Sequence, residues 1–145
     1  PSSGQALTLV PGSKAIATSK DVPGLIYDMY VVSPASWATR KSDWEKVVKV
    51  WYRVVDFLND PETQPEAISI MAARVGLPPE QYAPFLDGTK ILTLEEAKVA
   101  MTKADGLESV YGSSEVSDAF NVKYEVYETP AAIDTYIDPS VIMGM

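Results

Sequence analysis

The chain has 145 residues, of which 46% are hydrophobic and 22% are charged, so it can bury the core of one ordinary domain. Twelve basic residues against 20 acidic ones give a net charge of −8, which argues against binding to a nucleic-acid backbone. Because cysteine and histidine are both absent, thiol nucleophiles, zinc fingers, histidine-based zinc sites and Ser-His-Asp triads are excluded.

The first 33 residues predict two β-strands joined by a turn. The first strand is expected at residues 15–18, and the sequence DVPG at 21–24 has the proline and glycine of a tight turn. The sequence GLIYDMYVVS at 24–33 is rich in β-branched and aromatic residues, which is typical of a buried strand. Since it is apolar on both faces, it predicts a strand inside a helix-covered α/β sheet.

Asp28 is the exception within this apolar strand. A carboxylate at such a position costs several kcal/mol to desolvate unless a charged or hydrogen-bonding group meets it. Strand alternation places Asp28 on the same face as Tyr30, with Tyr27 on the other face. Two explanations stay open at this point: a positively charged ligand, or an internal partner such as backbone amides or a basic side chain.

The sequence after residue 34 predicts helices. SDWE at 42–45 forms a capping box, with Ser42 as the N-cap residue and Glu45 reaching back to it, and the helix is expected to end near Asn59. Its apolar residues recur at spacings of three and four, which predicts a stripe packed into the core. The stripe comprises Trp44, Val47, Val48, Trp51, Val54, Val55 and Leu58.

Shorter helical segments follow, each with a recognisable start or end signal. In chain order they are a helix at about 65–75 capped by Gly76, one from Pro79 to Gly88, one opened by the capping box of Thr93 and Glu96, one in the first half of 113–128, and at most a short one in the tail.

Several other side chains have competing explanations. Trp44 and Trp51 share one helix face, so core packing is preferred to a ligand-stacking role. Trp37 could lie at a surface contact. Glu115 and Asp118 could be a metal-binding or acid–base pair, but a solvated first turn near a helix start is the preferred explanation.

The ordered series of segments resembles one protein family. The sequences KAIATSKDVPGLIYDMYVVSPASW, PEAISIMAARVGLPPEQY, FLDGTKILTLEEA and TPAAIDTYIDP, together with the long amphipathic helix, are similar to the C-terminal half of the taurine, alkanesulfonate and nitrate type of solute-binding protein of bacterial ABC importers. The similarity lies in the order of the segments over residues 6–140 rather than in any single motif.

This resemblance implies an α/β protein with the two-lobed, type II periplasmic-binding-protein fold. The chain would be its C-terminal portion, mostly helical with about two strands. Residues 1–22 would end the second lobe, residues 23–33 would form the return hinge strand, and residues 34–145 would complete the first lobe with helices. The N-terminal half, with most of the ligand pocket, would lie outside this chain.

The resemblance also implies a function in solute capture without catalysis or a cofactor. A small sulfonate, taurine-like or nitrate-like compound would bind between the lobes and pass to an ABC permease, from a periplasmic or lipid-anchored extracytoplasmic location. Asp28 would meet the ammonium group of the ligand, with Tyr27 and Tyr30 beside it. The missing N-terminal half, or a second copy of the chain, is the expected polypeptide partner.

Two other function classes stay open. One is an enzyme on the same scaffold, of the thiamin-precursor or desulfination type, whose chemistry would have to lie outside this segment because histidine and cysteine are absent here. The other is a stand-alone helical interaction module.

Overall fold

The computed structural model describes residues 6, 7 and 9–145, and its regular structure after residue 33 is helical. Six α-helices follow in chain order: α1 at Pro34–Asn59, α2 at Gln64–Val75, α3 at Pro79–Asp87, α4 at Leu94–Ala100, α5 at Val110–Lys123 and α6 at Ser140–Met143. Short 3-10 helices lie at Ser19–Asp21 and Ile133–Thr135. The described residues form no β-strand.

The expectation of an α/β fold with about two strands is therefore wrong. Residues 26–33 run without a helix, turn or bend, as a strand would, but no neighbouring strand accompanies them. Within the described residues, the backbone of 26–32 forms no hydrogen bond to another backbone group. A β-strand is defined by hydrogen bonds between its backbone and that of a neighbouring strand. The strand-forming composition of this segment did not by itself produce a sheet. The periplasmic-binding-protein architecture is not the architecture of this part of the chain.

Helix α1 begins earlier than the sequence predicted. Ser33 is its N-cap, because the Ser33 hydroxyl accepts a hydrogen bond from the Ser36 amide at 3.3 Å, and Pro34 occupies the first helical position. The backbone departs from helical geometry at Arg40 (φ −132°, ψ 24°), where α1 is kinked. The predicted N-cap role of Ser42, with Glu45 reaching back to it, is wrong, because both residues lie inside α1. The predicted end at Asn59 is confirmed.

The buried side of α1 is rotated relative to the predicted stripe. Val55 and Leu58 are buried as expected, and Tyr52, which the stripe left out, is buried as well. Val47 and Val54 are 41% and 50% exposed, so their assignment to the core is wrong. Residues spaced three and four apart along a helix form two adjacent rows on its surface. Which of the two rows is buried depends on the elements that pack against the helix, and the spacing alone does not show this.

The start and end signals of the next three helices are confirmed. Gly76 caps α2 in the left-handed conformation at φ 71°, which glycine adopts without strain. Helix α3 starts at Pro79 and ends before Gly88. The capping box of α4 is formed in both directions, with Glu96 N to Thr93 Oγ1 at 3.3 Å and Thr93 N to Glu96 Oε2 at 3.0 Å.

The core consists of two apolar clusters joined by α4. The first contains Tyr52, Val55, Ala97 and Ile142, and the second contains Ala100, Val110, Tyr111 and Ile137. Ala97 and Ala100 both lie on α4, and the side chain of Met101 packs against both clusters. Helix α4 therefore holds α1 and α6 on one side and the start of α5 on the other. Helix α2 packs on α1 and on α3.

Candidate functional site

A solvent-open cleft of about 360 Å³ lies between residues 25–29 and helix α5. The wall from residues 25–29 is mainly apolar and includes Leu25, Ile26 and Met29. The wall from α5 is mainly polar and continues to Tyr127 and Tyr136 in the segment that follows the helix. Small-molecule sites also combine apolar surface with a few polar groups, but they are more enclosed than this cleft.

The polar wall is one face of α5. It carries Ser113, Ser114, Ser117, Asp118 and Asn121. Their spacings of three and four residues place them on the same side of a helix, so their hydroxyl, amide and carboxylate groups all point toward the cleft region. This arrangement offers several hydrogen-bond donors and one negative charge within two turns of helix.

The start of α5 is fixed by the buried side chain of Ser109. Its hydroxyl accepts hydrogen bonds from the amides of Tyr111 at 3.2 Å and Ala104 at 3.3 Å, and it donates one to the carbonyl of Thr102 at 2.8 Å. The helix is thereby tied to the chain that follows α4. The polar wall of the cleft therefore lies on a helix whose first turn is held by the three hydrogen bonds of Ser109.

The opposite wall is held in place by three contacts. The Tyr27 hydroxyl donates a hydrogen bond to the carbonyl of Leu107 at 2.9 Å, and the Ser113 hydroxyl donates one to the carbonyl of Leu25 at 3.4 Å. Gly24 has a φ of 82° and lies so close to the Leu107 carbonyl that any side chain would collide with it. Burial raises the pKa of Tyr27, and the Glu108 carboxylate acts in the same direction, so Tyr27 stays a neutral donor.

Asp118 anchors the loop that closes one end of the cleft. Its Oδ1 accepts hydrogen bonds from the Tyr127 hydroxyl and from the Ala131 amide, both at 2.8 Å. Asn121 in turn donates to the Tyr127 oxygen at 3.4 Å. Within the described part of the chain, Oδ2 of Asp118 makes no hydrogen bond, so this oxygen can accept one from a bound molecule.

The bond between Tyr127 and Asp118 predicts an alkaline pH dependence. Donation to Asp118 raises the pKa of Tyr127 above the ordinary tyrosine value. A raised folded-state pKa means that the stabilisation is fully present below the unfolded-state pKa near 10 and is lost as the pH rises through the folded-state pKa. We expect the unfolding free energy to fall less above pH 10 in Tyr127→Phe than in the parent chain.

Urea unfolding between about pH 8 and pH 11.5 measures this difference directly. The comparison with Tyr127→Phe cancels the contributions of the other tyrosines, because they are the same in both proteins. Equal losses of stability in the parent and in Tyr127→Phe would contradict the assigned bond.

The three residues predicted from the sequence to bind ligand do not line a common cleft. Tyr27 lines the cleft, whereas Asp28 and Tyr30 do not. Asp28 is exposed, so the premise of a carboxylate inside a buried strand is wrong. Tyr30 is 58% exposed and meets the ring of Trp51 edge-on, with centroids 5.6 Å apart. The ligand role of Asp28 stays a prediction from the sequence.

Sequence reasoning did not single out the polar face of α5. The available signal was the helical spacing of small polar residues in SSEVSDAFN at 113–121. The predicted place of Asp118 in a solvated first turn is wrong, because the helix begins at Val110 and Asp118 anchors the following loop. Trp37, which was left open, lies under the Lys41 ammonium at 4.8 Å from its ring centroid.

Neither metal-binding clusters nor membrane-spanning helices are found among the residues that the structure describes. No three or more carboxylate, imidazole or thiol side chains there are grouped so as to hold a metal ion. None of the described helices combines the length and the apolar character needed to cross a bilayer.

Comparisons of the chain with family models, with curated proteins and with solved structures found no match. The similarity to solute-binding proteins therefore stays a prediction from the sequence, and the geometry of the cleft is the separate starting point for a function.

Proposed function

We propose that this chain captures a small zwitterionic solute of the taurine type in the cleft between residues 25–29 and α5. The observation that supports this most is Oδ2 of Asp118, which no described residue hydrogen-bonds and which lies beside a row of serine hydroxyls and an asparagine amide. An ammonium group fits the carboxylate, and a sulfonate, which only accepts hydrogen bonds, fits the hydroxyl and amide donors. Both halves of an aminosulfonate are thus complemented.

The individual roles follow from the chemistry of the two walls. Asp118 would pair with the ammonium, while Ser114, Ser117 and Asn121 would donate to the sulfonate oxygens. Met29 on the opposite wall would cover the short hydrocarbon chain of the solute. None of these roles breaks or forms a covalent bond in the solute, so the proposed activity is binding.

Delivery to an ABC permease and an extracytoplasmic location belong to the same proposal. They rest on the resemblance of the ordered segments and on the match between that family's ligands and the chemistry of the cleft. The proposal does not use the α/β architecture that the resemblance implied.

The affinity of the chain alone should be low. Sites that bind tightly cover about 70–90% of a ligand's surface, whereas this cleft is open to solvent. We expect a Kd near 1 mM, which corresponds to about −4 kcal/mol.

Saturation-transfer NMR with three related solutes tests the proposed ligand chemistry. Taurine carries both groups, isethionate keeps the sulfonate but has a hydroxyl in place of the amine, and nitrate is a simple anion. We expect saturable binding of taurine, weaker binding of isethionate and the weakest binding of nitrate, because Asp118 attracts the amine and repels anions. Equal affinities for taurine and isethionate, or no saturable signal up to about 50 mM, would overturn the proposal.

A further inference from the structure

Residues 25–33 form a nine-residue apolar segment whose backbone is almost unpaired within the described chain. Val22 accepts a hydrogen bond from the Leu25 amide, and Ser113 donates one to the Leu25 carbonyl. From 26 to 32, no backbone group is hydrogen-bonded to another described backbone group. A straight segment with free amides and carbonyls is a template for a second strand.

Its side chains are exposed to a degree unusual for their type. Ile26 is 72% exposed, Tyr30 58%, Met29 49% and Val31 89%. Within the segment only Asp28 carries a charge. Exposed apolar strands of this kind are expected to pair with another polypeptide.

The apolar surface continues from this segment onto α1. Tyr30 contacts Trp51, and Val47 and Val54 lie one turn to either side of Trp51, both substantially exposed. A partner strand that pairs with residues 25–33 would therefore also reach an apolar helix face. Pairing would add buried apolar surface to the backbone hydrogen bonds.

The total accessible surface of the chain also supports an interface with a partner. It is 10,717 Å² for a chain of 15.8 kDa, whereas a compact monomer of that mass exposes about 7,300 Å². The excess is larger than the roughly 800 Å² that each partner buries in a standard interface. The chain therefore has enough surface to form a stable dimer.

We propose that two copies of this chain associate through residues 25–33, paired as antiparallel strands about a two-fold axis at Met29. An isologous contact of this kind is the commonest symmetry of protein dimers. The interface shares residues 25–29 with the solute cleft: their backbone would pair with the second copy, and side chains of Leu25, Ile26, Tyr27 and Met29 line the cleft.

The register follows from the limits of the segment. Gly24 lies in a turn, the Leu25 amide and carbonyl are already hydrogen-bonded, and the Ser33 carbonyl accepts a hydrogen bond from the Trp37 amide. Within the described chain, the unpaired backbone is therefore that of residues 26–32, and Met29 is its central residue. A two-fold axis at Met29 gives the largest number of paired residues.

This register also pairs compatible side chains. Ile26 faces Val32, and Tyr27 faces Val31, which are β-branched and aromatic pairs that favour sheets. Asp28 faces Tyr30 of the other copy, whose hydroxyl can donate to it. Shifting the axis to Asp28 would place two carboxylates opposite each other, which is destabilising.

The charge of the chain predicts how salt affects association. Two chains of net charge −8 repel each other, and added salt screens that repulsion. The dimer should therefore become tighter at higher ionic strength. A basic partner strand, as the alternative occupant, would show the opposite dependence.

Single-cysteine variants test the register directly, because the chain contains no cysteine. Residues directly opposite across an antiparallel pair have Cα atoms about 4.5–5.5 Å apart, within the range that a disulfide bridges. In Met29→Cys the two thiols would face each other on the axis. In Val31→Cys they would be about 14 Å apart, too far to bridge.

We expect Met29→Cys to form the crosslinked dimer on oxidation at least about tenfold faster than Val31→Cys and Ile16→Cys. Ile16 is 97% exposed and lies outside the segment, so it reports random collision. Equal rates for all three variants, or fastest crosslinking in Val31→Cys, would overturn the proposal.

Sedimentation of the cysteine-free chain gives an independent measurement. Successive amides of a strand point to opposite edges, so either the Tyr30 amide or the Val31 amide must face the partner strand. We expect a dimer at about 100 µM that persists in Ile16→Pro and is lost in one of the two variants Tyr30→Pro and Val31→Pro. Circular dichroism should show the same helix content in all three variants. A parent chain that stays monomeric, or an undiminished dimer in both Tyr30→Pro and Val31→Pro, would overturn self-pairing. Taurine binding is judged separately from Asp118→Asn, because Asp118 lies on α5 and not in residues 25–33.

Discussion

Val55→Asp is expected to unfold the chain at room temperature. Val55 has no exposed surface and belongs to the cluster that joins α1, α4 and α6. The substitution removes a buried apolar side chain, which contributes about 1.5–3 kcal/mol, and it buries a carboxylate at a cost of several kcal/mol more. The sum is comparable to the total stability of about 5–15 kcal/mol of an ordinary domain.

Val54→Asp is the matched control, because it makes the same change one residue away on the same helix. Val54 is 50% exposed, so the carboxylate stays hydrated and the unfolding free energy should change by less than about 1 kcal/mol. Far-ultraviolet circular dichroism with urea titration measures both variants. Similar stabilities for the two would contradict the packing of α1 described above.

Asp118→Asn is expected to weaken taurine binding by roughly ten- to a hundredfold. The amide keeps the shape of the side chain and an oxygen that can accept from Tyr127, but it removes the charge that would meet an ammonium group. A hydrogen bond to a charged group contributes about 1.5–3 kcal/mol, which gives this range of affinity. Titration of taurine against the parent and the variant measures the change.

Asp28→Asn is the companion variant, and it shows whether Asp28 or Asp118 contributes the charge that binds the ammonium group. Asp28 is exposed, so its loss should change the unfolding free energy by less than about 0.5 kcal/mol. If Asp118 holds the ammonium, Asp28→Asn should leave taurine affinity within about twofold of the parent. A large loss of affinity in Asp28→Asn, with none in Asp118→Asn, would instead support the role predicted for Asp28 from the sequence.

The helix ends were predictable because their signals act within one turn of the chain. The left-handed glycine at Gly76 and the reciprocal bonds of Thr93 and Glu96 need no distant residue, and both were found where the sequence placed them. The start of α1 was missed because two local signals compete there. The cap at Ser33 followed by Pro34 began the helix, and the capping box at Ser42 lies inside it.

The absence of a sheet from the described residues was not predictable, because strand pairing depends on a partner. Residues 26–32 have the composition of a buried strand. Composition shows that a segment could pair with a neighbouring strand, but it does not show that such a neighbour exists. The same limit explains the wrong assignment of Val47 and Val54, since periodicity defines the apolar side of α1 but not what covers each row.

The candidate site was only partly predictable for a related reason. Tyr27 was expected beside the ligand from the resemblance, and it does line the cleft. The wall facing it comes from α5, about 90 residues further along the chain, and Leu25 is joined to Ser113 only by tertiary packing. Serines that recur along one face of a helix usually indicate a solvated face. That this face of α5 borders a cleft could be learned only from the folded structure.

The central claim is that the solute binds on the polar face of α5, and mapping amide chemical shifts during a taurine titration tests it most directly. In a uniformly ¹⁵N-labelled chain, we predict saturable shifts of the amides of Ser114, Ser117, Asp118 and Asn121, and of the facing residues 25–29. All should follow one Kd near 1 mM. Saturable shifts confined to other surfaces, or none at these residues, would contradict the claim.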